Sequence, residues 1–274
     1  MGERLQNREE ALGALSGRGL ATDRKPVSPS RHEISGLELV EAGTDAELAN
    51  ARFERKFTPP GLSVAETLGL VRRNPALFRE PYPERVVNNV YFDTPDLRHF
   101  HDHVSGTARR LKVRIRWYGD FGGAIAQPRL EFKLRRGTVS GKEGFPLPPF
   151  ELNGHFPRGV MEAALRAEAR PEQARLRLLG LQPVLGNRYS RRYFCAAAGG
   201  VRLTVDWGLE FFDLRDVGAS IRPLWGCEHG PIVELKYPAA SMTEAAAVTG
   251  CFPFRLVRCS KYVVGVQQLD GVAG

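Results

Sequence analysis

Lys112, Arg114 and Arg116 stand two residues apart in the run Leu111-Lys112-Val113-Arg114-Ile115-Arg116-Trp117, and an apolar residue fills each gap. In an extended strand successive side chains leave opposite faces, so the three cations share one face at a spacing of about 7 Å. Like charges so placed repel one another unless an anion lies between them. The same division recurs along the chain. Arg129 to Arg135 sets Leu130, Phe132 and Leu134 against Arg129, Glu131, Lys133 and Arg135, and Val201 to Trp207 sets Val201, Leu203, Val205 and Trp207 against Arg202, Thr204 and Asp206. Val233, Leu235 and Tyr237 oppose Glu234 and Lys236, while Arg52, Glu54 and Lys56 oppose Phe53 and Phe57, with Arg55 as the exception. The pairs Glu54/Lys56, Glu131/Lys133 and Glu234/Lys236 each put a hard oxygen ligand for a divalent metal beside a ligand for phosphate.

One such strand alone reads best as a sheet with its charged face in water and its apolar face on a core. Five together favour another arrangement. If helices cover the apolar faces from outside, the charged faces turn inward and line a closed β-barrel. Buried charges are tolerable there only when water, ions and a ligand fill the interior, so the lumen is a binding site. Many cations with a few carboxylates suit a string of phosphates with Mg2+ or Mn2+ as counter-ion.

The elements that must position these residues follow from periodicity and punctuation. Strands are expected at 52–57, 86–92, 108–118, 129–135, 184–194, 201–212 and 232–237, and a short helix or turn at 95–103. Ser63 and Glu66 form a capping box for a helix towards Arg73, and Ser241 and Glu244 a second one. Residues 159–179 read as two short helices broken at Pro171, and Ser260 caps a last helix through Val263 and Val266. The glycines at 137, 141 and 144 read as a mobile loop around Lys142 that lacks Walker spacing. Residues 1–35 mix Arg, Glu, Gly, Ser and Pro without periodicity and read as a disordered tail, leaving 36–274 as one α+β domain.

The chain has 274 residues with 39 Lys and Arg against 31 Asp and Glu, a net charge of +8, which favours anionic partners. Four cysteines without C-x-x-C spacing suggest neither a zinc site nor a disulfide framework. No run is apolar enough to span a bilayer, and a cytoplasmic protein is expected. His99, His101 and His103 with Asp102 look like a metal cluster but read better as surface residues. Trp117, Trp207 and Trp225 could stack on a nucleotide base, but Trp117 and Trp207 fall on apolar faces and read as core, so the aromatics do not argue for base recognition.

These strands resemble the triphosphate tunnel metalloenzymes, and among them the polyphosphate polymerase (VTC) domain. The pieces that carry the resemblance are Arg52-Phe53-Glu54-Arg55-Lys56-Phe57, Tyr91-Phe92-Asp93-Thr94, Lys112 to Gly119, Glu131-Phe132-Lys133, Tyr189-Ser190-Arg191-Arg192, Val233-Glu234-Leu235-Lys236 and Ser260-Lys261-Tyr262. It implies an α+β fold with a closed eight-stranded antiparallel β-barrel, a triphosphate tunnel, and helices packed outside. It implies catalytic roles for Arg114, Arg116, Lys133 and Lys261, and phosphate binding by Lys56, Lys112, Lys142, Arg191, Lys236 and Ser260. Glu234, Glu54 and Glu131 become the candidate metal ligands. The activity implied is a Mn2+- or Mg2+-dependent phosphotransferase that moves the terminal phosphoryl group of ATP to polyphosphate, without sequence-specific nucleic-acid binding. The hydrolase branch has Glu-x-Glu-x-Lys in its first strand. Arg52 here replaces the first carboxylate, which leans the reading away from an inorganic or nucleoside triphosphatase. A non-catalytic polyphosphate binder is the remaining alternative.

Overall fold

The computed structural model describes residues 52–137, 139–166, 171–216, 220–224 and 229–269, all within one compact unit, Ala42–Gly274. Its first half forms β1 (Arg52–Thr58), α1 (Val64–Arg72), β2 (Arg85–Asp93), α2 (Arg98–Ser105), β3 (Arg109–Tyr118), β4 (Gly123–Ile125) and β5 (Arg129–Arg136). Then come β6 (Val139–Pro146), β7 (Phe150–Leu152), α3 (Arg158–Arg166), α4 (Glu172–Leu176), β8 (Gln182–Cys195) and β9 (Arg202–Asp213). The chain continues through β10 (Arg222–Leu224), β11 (Ile232–Pro238), a 3-10 turn (Ala239–Ser241), α5 (Met242–Gly250), β12 (Arg255–Leu256) and α6 (Lys261–Leu269). The expected tail lies outside the described residues.

The main sheet is antiparallel and runs β12-β1-β11-β9-β8-β2-β3-β5-β6, with β10 added to β9. Its path ends at β12 and β6, and no backbone pairing among the described residues joins those ends. The pairings of the described residues therefore show the large antiparallel sheet and leave its closure into eight strands unshown. One difference is the segment read as a glycine loop. Residues 139–146 pair with β5 from Arg136↔Val139 to Arg129↔Pro146, so Lys142 is held on a strand rather than on a mobile rim. Glycines are tolerated there because β6 is an edge strand, and Gly137 at φ 55° makes the turn into it.

The sheet is strongly rolled. Six pairings separate β1 from β5 along the ladder, which in a flat sheet is about 29 Å at the usual strand spacing. Yet Lys133 Nζ of β5 lies 2.9 Å from Glu54 Oε2 of β1. Only a sheet whose charged face is concave brings those side chains together.

The outer, apolar face carries two core clusters. Val113, Ile115, Trp117, Leu130 and Phe132 pack with Val160 and Ala164 of α3 and Ala174 of α4, while Leu203, Val205, Val233 and Leu235 pack with Leu68 and Val71 of α1 and Ala245 and Val248 of α5. These four helices sit outside, as expected. Helix α6 does not. Tyr262 and Val266 join Val87, Tyr91, Leu185, Tyr189 and Ile232, which alternate with the apolar outer residues and so belong to the concave face. A Cβ at Gly265 would collide with Leu185 and Phe211, so the missing side chain is what lets α6 enter the concavity.

Ser63 forms its capping box, with Ser63 N donating to Glu66 Oε2 at 2.8 Å and Ser63 Oγ accepting from Glu66 N at 3.3 Å. The second box does not form. Ser241 ends a 3-10 turn that runs straight into α5, and its side chain makes no cap. Ser260 Oγ does accept from Val263 N at 3.3 Å at the start of α6.

Candidate functional site

Alternation and register place the charged residues side by side on the concave face. In one row Lys112, Lys133 and Lys142 are aligned across β3, β5 and β6, and in another Lys56, Glu234 and Thr204 across β1, β11 and β9. Arg114 lies opposite Glu131 and Tyr91, and Arg191 opposite Asp206. A row of cations on adjacent strands needs counter-charge, and the structure supplies it in three groups.

The first is centred on Glu131, whose side chain is 7% exposed. Arg114 Nε and Nη2 donate to its Oε2 at 2.8 and 2.7 Å, Lys142 Nζ is 2.7 Å from Oε1, and Arg116 Nη1 lies 3.9 Å away. Burial pushes this carboxyl up, but Arg114, Arg116 and Lys142 outweigh it and hold it at about 2. The second is Asp206, gripped by Arg191 through paired bonds of 2.5 and 2.7 Å and by Lys261 at 2.5 Å. Burial opposes its ionisation, and the two cations hold its carboxyl below the usual range. The third joins Glu54 and Glu234 through Lys56, at 3.2 and 3.7 Å, with Lys236 on Glu234 and Lys133 on Glu54.

Lys112 is the exception. Its Nζ donates to Ser260 Oγ at 2.8 Å and has no carboxylate within ion-pair distance among the described residues. Burial first, then Lys56, Lys133 and Arg114, push its amine well below the ordinary lysine value. Arg116 is held by Asn89 Oδ1 at 2.8 Å and the Tyr189 hydroxyl at 3.3 Å. In all, eight cations of this face (Lys56, Arg114, Arg116, Lys133, Lys142, Arg191, Lys236 and Lys261) share four carboxylates (Glu54, Glu131, Asp206 and Glu234), so in these ion pairs cations outnumber carboxylates two to one. Two buried polar atoms nearby, Asn187 Nδ2 and Thr204 Oγ1, have no hydrogen-bond partner among the described residues.

Every residue expected from the sequence to bind phosphate or metal therefore reaches one concave surface. Arg114 and Glu234 do not point to bulk solvent on opposite sides, the placement that a two-layer sandwich requires. For a metal, Glu54 and Glu234 are close enough to raise each other's proton affinity, and both meet Lys56. Two carboxylates completed by phosphate oxygens suit Mg2+ or Mn2+, whereas no group of three His, Cys, Asp or Glu converges among the described residues. Glu131 is engaged by its cations on the other side.

Several participants carried no signal as chemistry. Asn89, Tyr189 and the Cys259 carbonyl, which accepts from Lys56 Nζ at 3.0 Å, were hidden among apolar or unremarkable neighbours. Asp206 was visible on the charged face, but its grip on Arg191 and Lys261 depends on a helix that arrives 55 residues later. His99 is also not a surface residue. Its Nδ1 lies 3.4 Å from buried Asp93, and Asp93 accepts from the His99 and Phe100 amides of α2 and from the Tyr262 hydroxyl of α6. Trp117 is core, as expected, and Trp225 lies outside the described residues.

The fold and this surface define a basic channel on a rolled antiparallel sheet. The VTC domain model matches residues 51–270, and the chain belongs to that family. No curated protein matches the chain. Among solved structures it is similar to the PH1819 protein of Pyrococcus horikoshii OT3, at 15% identity and TM-score 0.44 over 80% of this chain and 99% of that one. A candidate adenylate cyclase of Vibrio parahaemolyticus aligns at 13% identity and TM-score 0.46 over 79% and 98%. One of Bacillus halodurans aligns at 13% and 0.43 over 77% and 94%. No helix among the described residues is long and apolar enough to cross a membrane.

Proposed function

We propose that this protein is a metal-dependent polyphosphate polymerase whose rolled sheet works as a triphosphate tunnel. The observation that carries the reading is the two-to-one excess of cations over carboxylates in the ion pairs of one concave face. An extended polyanion supplies the missing counter-charge. A terminal oxygen of the polyphosphate chain attacks the γ-phosphorus of ATP; the new P–O bond forms as the bond to the β–γ bridging oxygen breaks, and ADP leaves with that electron pair. The attacking oxygen is already anionic, so no general base is needed. The loose transition state spreads charge over the equatorial oxygens, and positioning with electrostatic stabilisation supplies the catalysis. Arg114, Arg116, Lys133 and Lys261 take that role, while Lys56, Lys112, Lys142, Arg191, Lys236 and Ser260 hold the flanking phosphates. Glu234 and Glu54 hold a Mg2+ or Mn2+ ion, with Glu131 as a third candidate ligand. When bound, the ion neutralises charge on the phosphate oxygens.

Arg52, in place of the first carboxylate of the hydrolase pattern, favours transfer to phosphate over transfer to water. Incubation with ATP and Mn2+ followed by gel separation tests the reading. Long ladders are expected; orthophosphate without ladders would make the protein a triphosphatase, and tight binding without turnover a polyphosphate binder.

A further inference from the structure

At one end of the concave face the chemistry changes from cations to rings. On β3 the phosphate candidate Arg116 is followed two residues outward by Tyr118, and on β8 Arg191 is followed by Tyr193, so each strand ends its charged row with Arg-x-Tyr on one face. That step along a strand is about 7 Å, the reach of a ribose between a phosphate and its base. Arg191 Cζ sits 5.7 Å from the Tyr193 ring centre, so ring and phosphate ligand are neighbours. Arg85, the first residue of β2, lies among three rings, 4.8 Å from Tyr82, 5.3 Å from Tyr118 and 5.9 Å from Tyr193. Among the described residues no carboxylate is within ion-pair distance of Arg85, although Glu84 beside it pairs with Arg192. Tyr82 and Tyr118 are 52% and 49% exposed, a large aromatic surface left in water. Tyr82 meets Tyr193 edge-on at 5.8 Å, so these two rings are packed together in advance.

The other end of β3 has no such feature. There Arg110 faces Arg135 across the pairing with β5, and burial first, then Arg135 and Arg258, lower the proton affinity of Arg110. That end offers charge alone.

We infer that Tyr82, Tyr118 and Tyr193 with Arg85 form a stacking platform for the base of a nucleotide whose phosphates lie on Arg116 and Arg191. The inference rests on the reading of the channel as a phosphate site and adds which mouth admits the nucleotide. Exposed aromatic faces with an arginine plane bind bases by stacking without reading their edges, so the platform accepts any flat base. A bare phosphate chain gains nothing from it.

The test compares ATP with tripolyphosphate, which lacks a base, by calorimetric titration of the full chain. The wild type is expected to bind both. In Tyr82→Ala/Tyr118→Ala the affinity for ATP should fall about tenfold while that for tripolyphosphate stays within about twofold, and Tyr82→Phe/Tyr118→Phe should keep the wild-type ratio. Equal losses for both ligands, or no loss for ATP, would overturn the platform while leaving the channel intact. A wild type that binds neither ligand overturns the channel and the platform together. If the alanine pair melts early, Arg85→Gln carries the same comparison with the same expected ratio.

Discussion

Replacing Glu131 by Gln removes one anion from a group of three cations without changing the shape of the side chain. Arg114 and Lys142 contact it at 2.7–2.8 Å and the side chain is 7% exposed, so water does little to screen the interaction. Its carboxyl moves from 4.5 to about 2, because the cations outweigh the burial that opposes its charge. At about 1.4 kcal/mol per pH unit, this corresponds to roughly 3 kcal/mol of stability at pH 7. A lowered carboxyl contributes fully above its unfolded value of 4.5, and the contribution is lost as pH falls through about 2. The uncharged Gln lacks it at every pH. Urea unfolding of wild type and Glu131→Gln should therefore differ by roughly 3 kcal/mol at pH 7 and by roughly 1 kcal/mol at pH 3, since other carboxylates cancel in the difference.

A gap that is absent at pH 7, or the same size at both pH values, refutes the assignment of Glu131 as an ionised counter-ion. The variant also separates two roles for this residue. As a counter-ion, Glu131 competes with phosphate for Arg114 and Lys142, so its loss should tighten tripolyphosphate binding in the absence of metal. As a metal ligand, its loss should weaken metal-dependent turnover.

Asp206→Asn leaves Arg191 and Lys261 buried without their shared anion and should cost about 3–5 kcal/mol in thermal or urea unfolding, a deficit partly restored by tripolyphosphate. Gly265→Ala forces a methyl group into Leu185 and Phe211 and should cost about 1–3 kcal/mol in urea unfolding; turnover should fall further, because α6 carries Lys261. The depressed amine of Lys112 takes up a proton when a polyanion arrives, so tripolyphosphate affinity should weaken as pH rises. Titrations in buffers of different ionisation enthalpy should show that uptake in wild type and a smaller one in Lys112→Met.

Alternation made the site legible because a strand fixes which face a side chain takes. Lys112, Arg114, Arg116, Lys133, Glu234 and Lys56 were placed on one face by counting alone, and the registers between their strands bring them together. What counting could not supply was closure and contact across the channel. Gly141 and Gly144 give no strand signal, so β6 read as a loop although its backbone completes the ladder of β5. The short strands β4, β7, β10 and β12, of two or three residues each, fall below any period that can be counted. Helix α6 was expected at its place in the chain, but its position inside the concavity is a tertiary fact, set by Gly265 and by the bond from Tyr262 to Asp93.

That bond suggests how the channel is kept ready before a ligand comes. Asp93 ends β2, accepts from the first amides of α2, and holds Tyr262, the residue next to Lys261. Lys261 in turn reaches Asp206, which already holds Arg191. The carboxylates of the concave face thus fix its cations in place, each at the cost of one charge that a phosphate oxygen can later use. Four such anions shared by eight cations leave the surface folded and still strongly positive. With no carboxylate, self-repulsion would open the sheet; with one for every cation, nothing would be left to attract a polyanion. The balance between those limits lets one set of side chains serve both stability and binding.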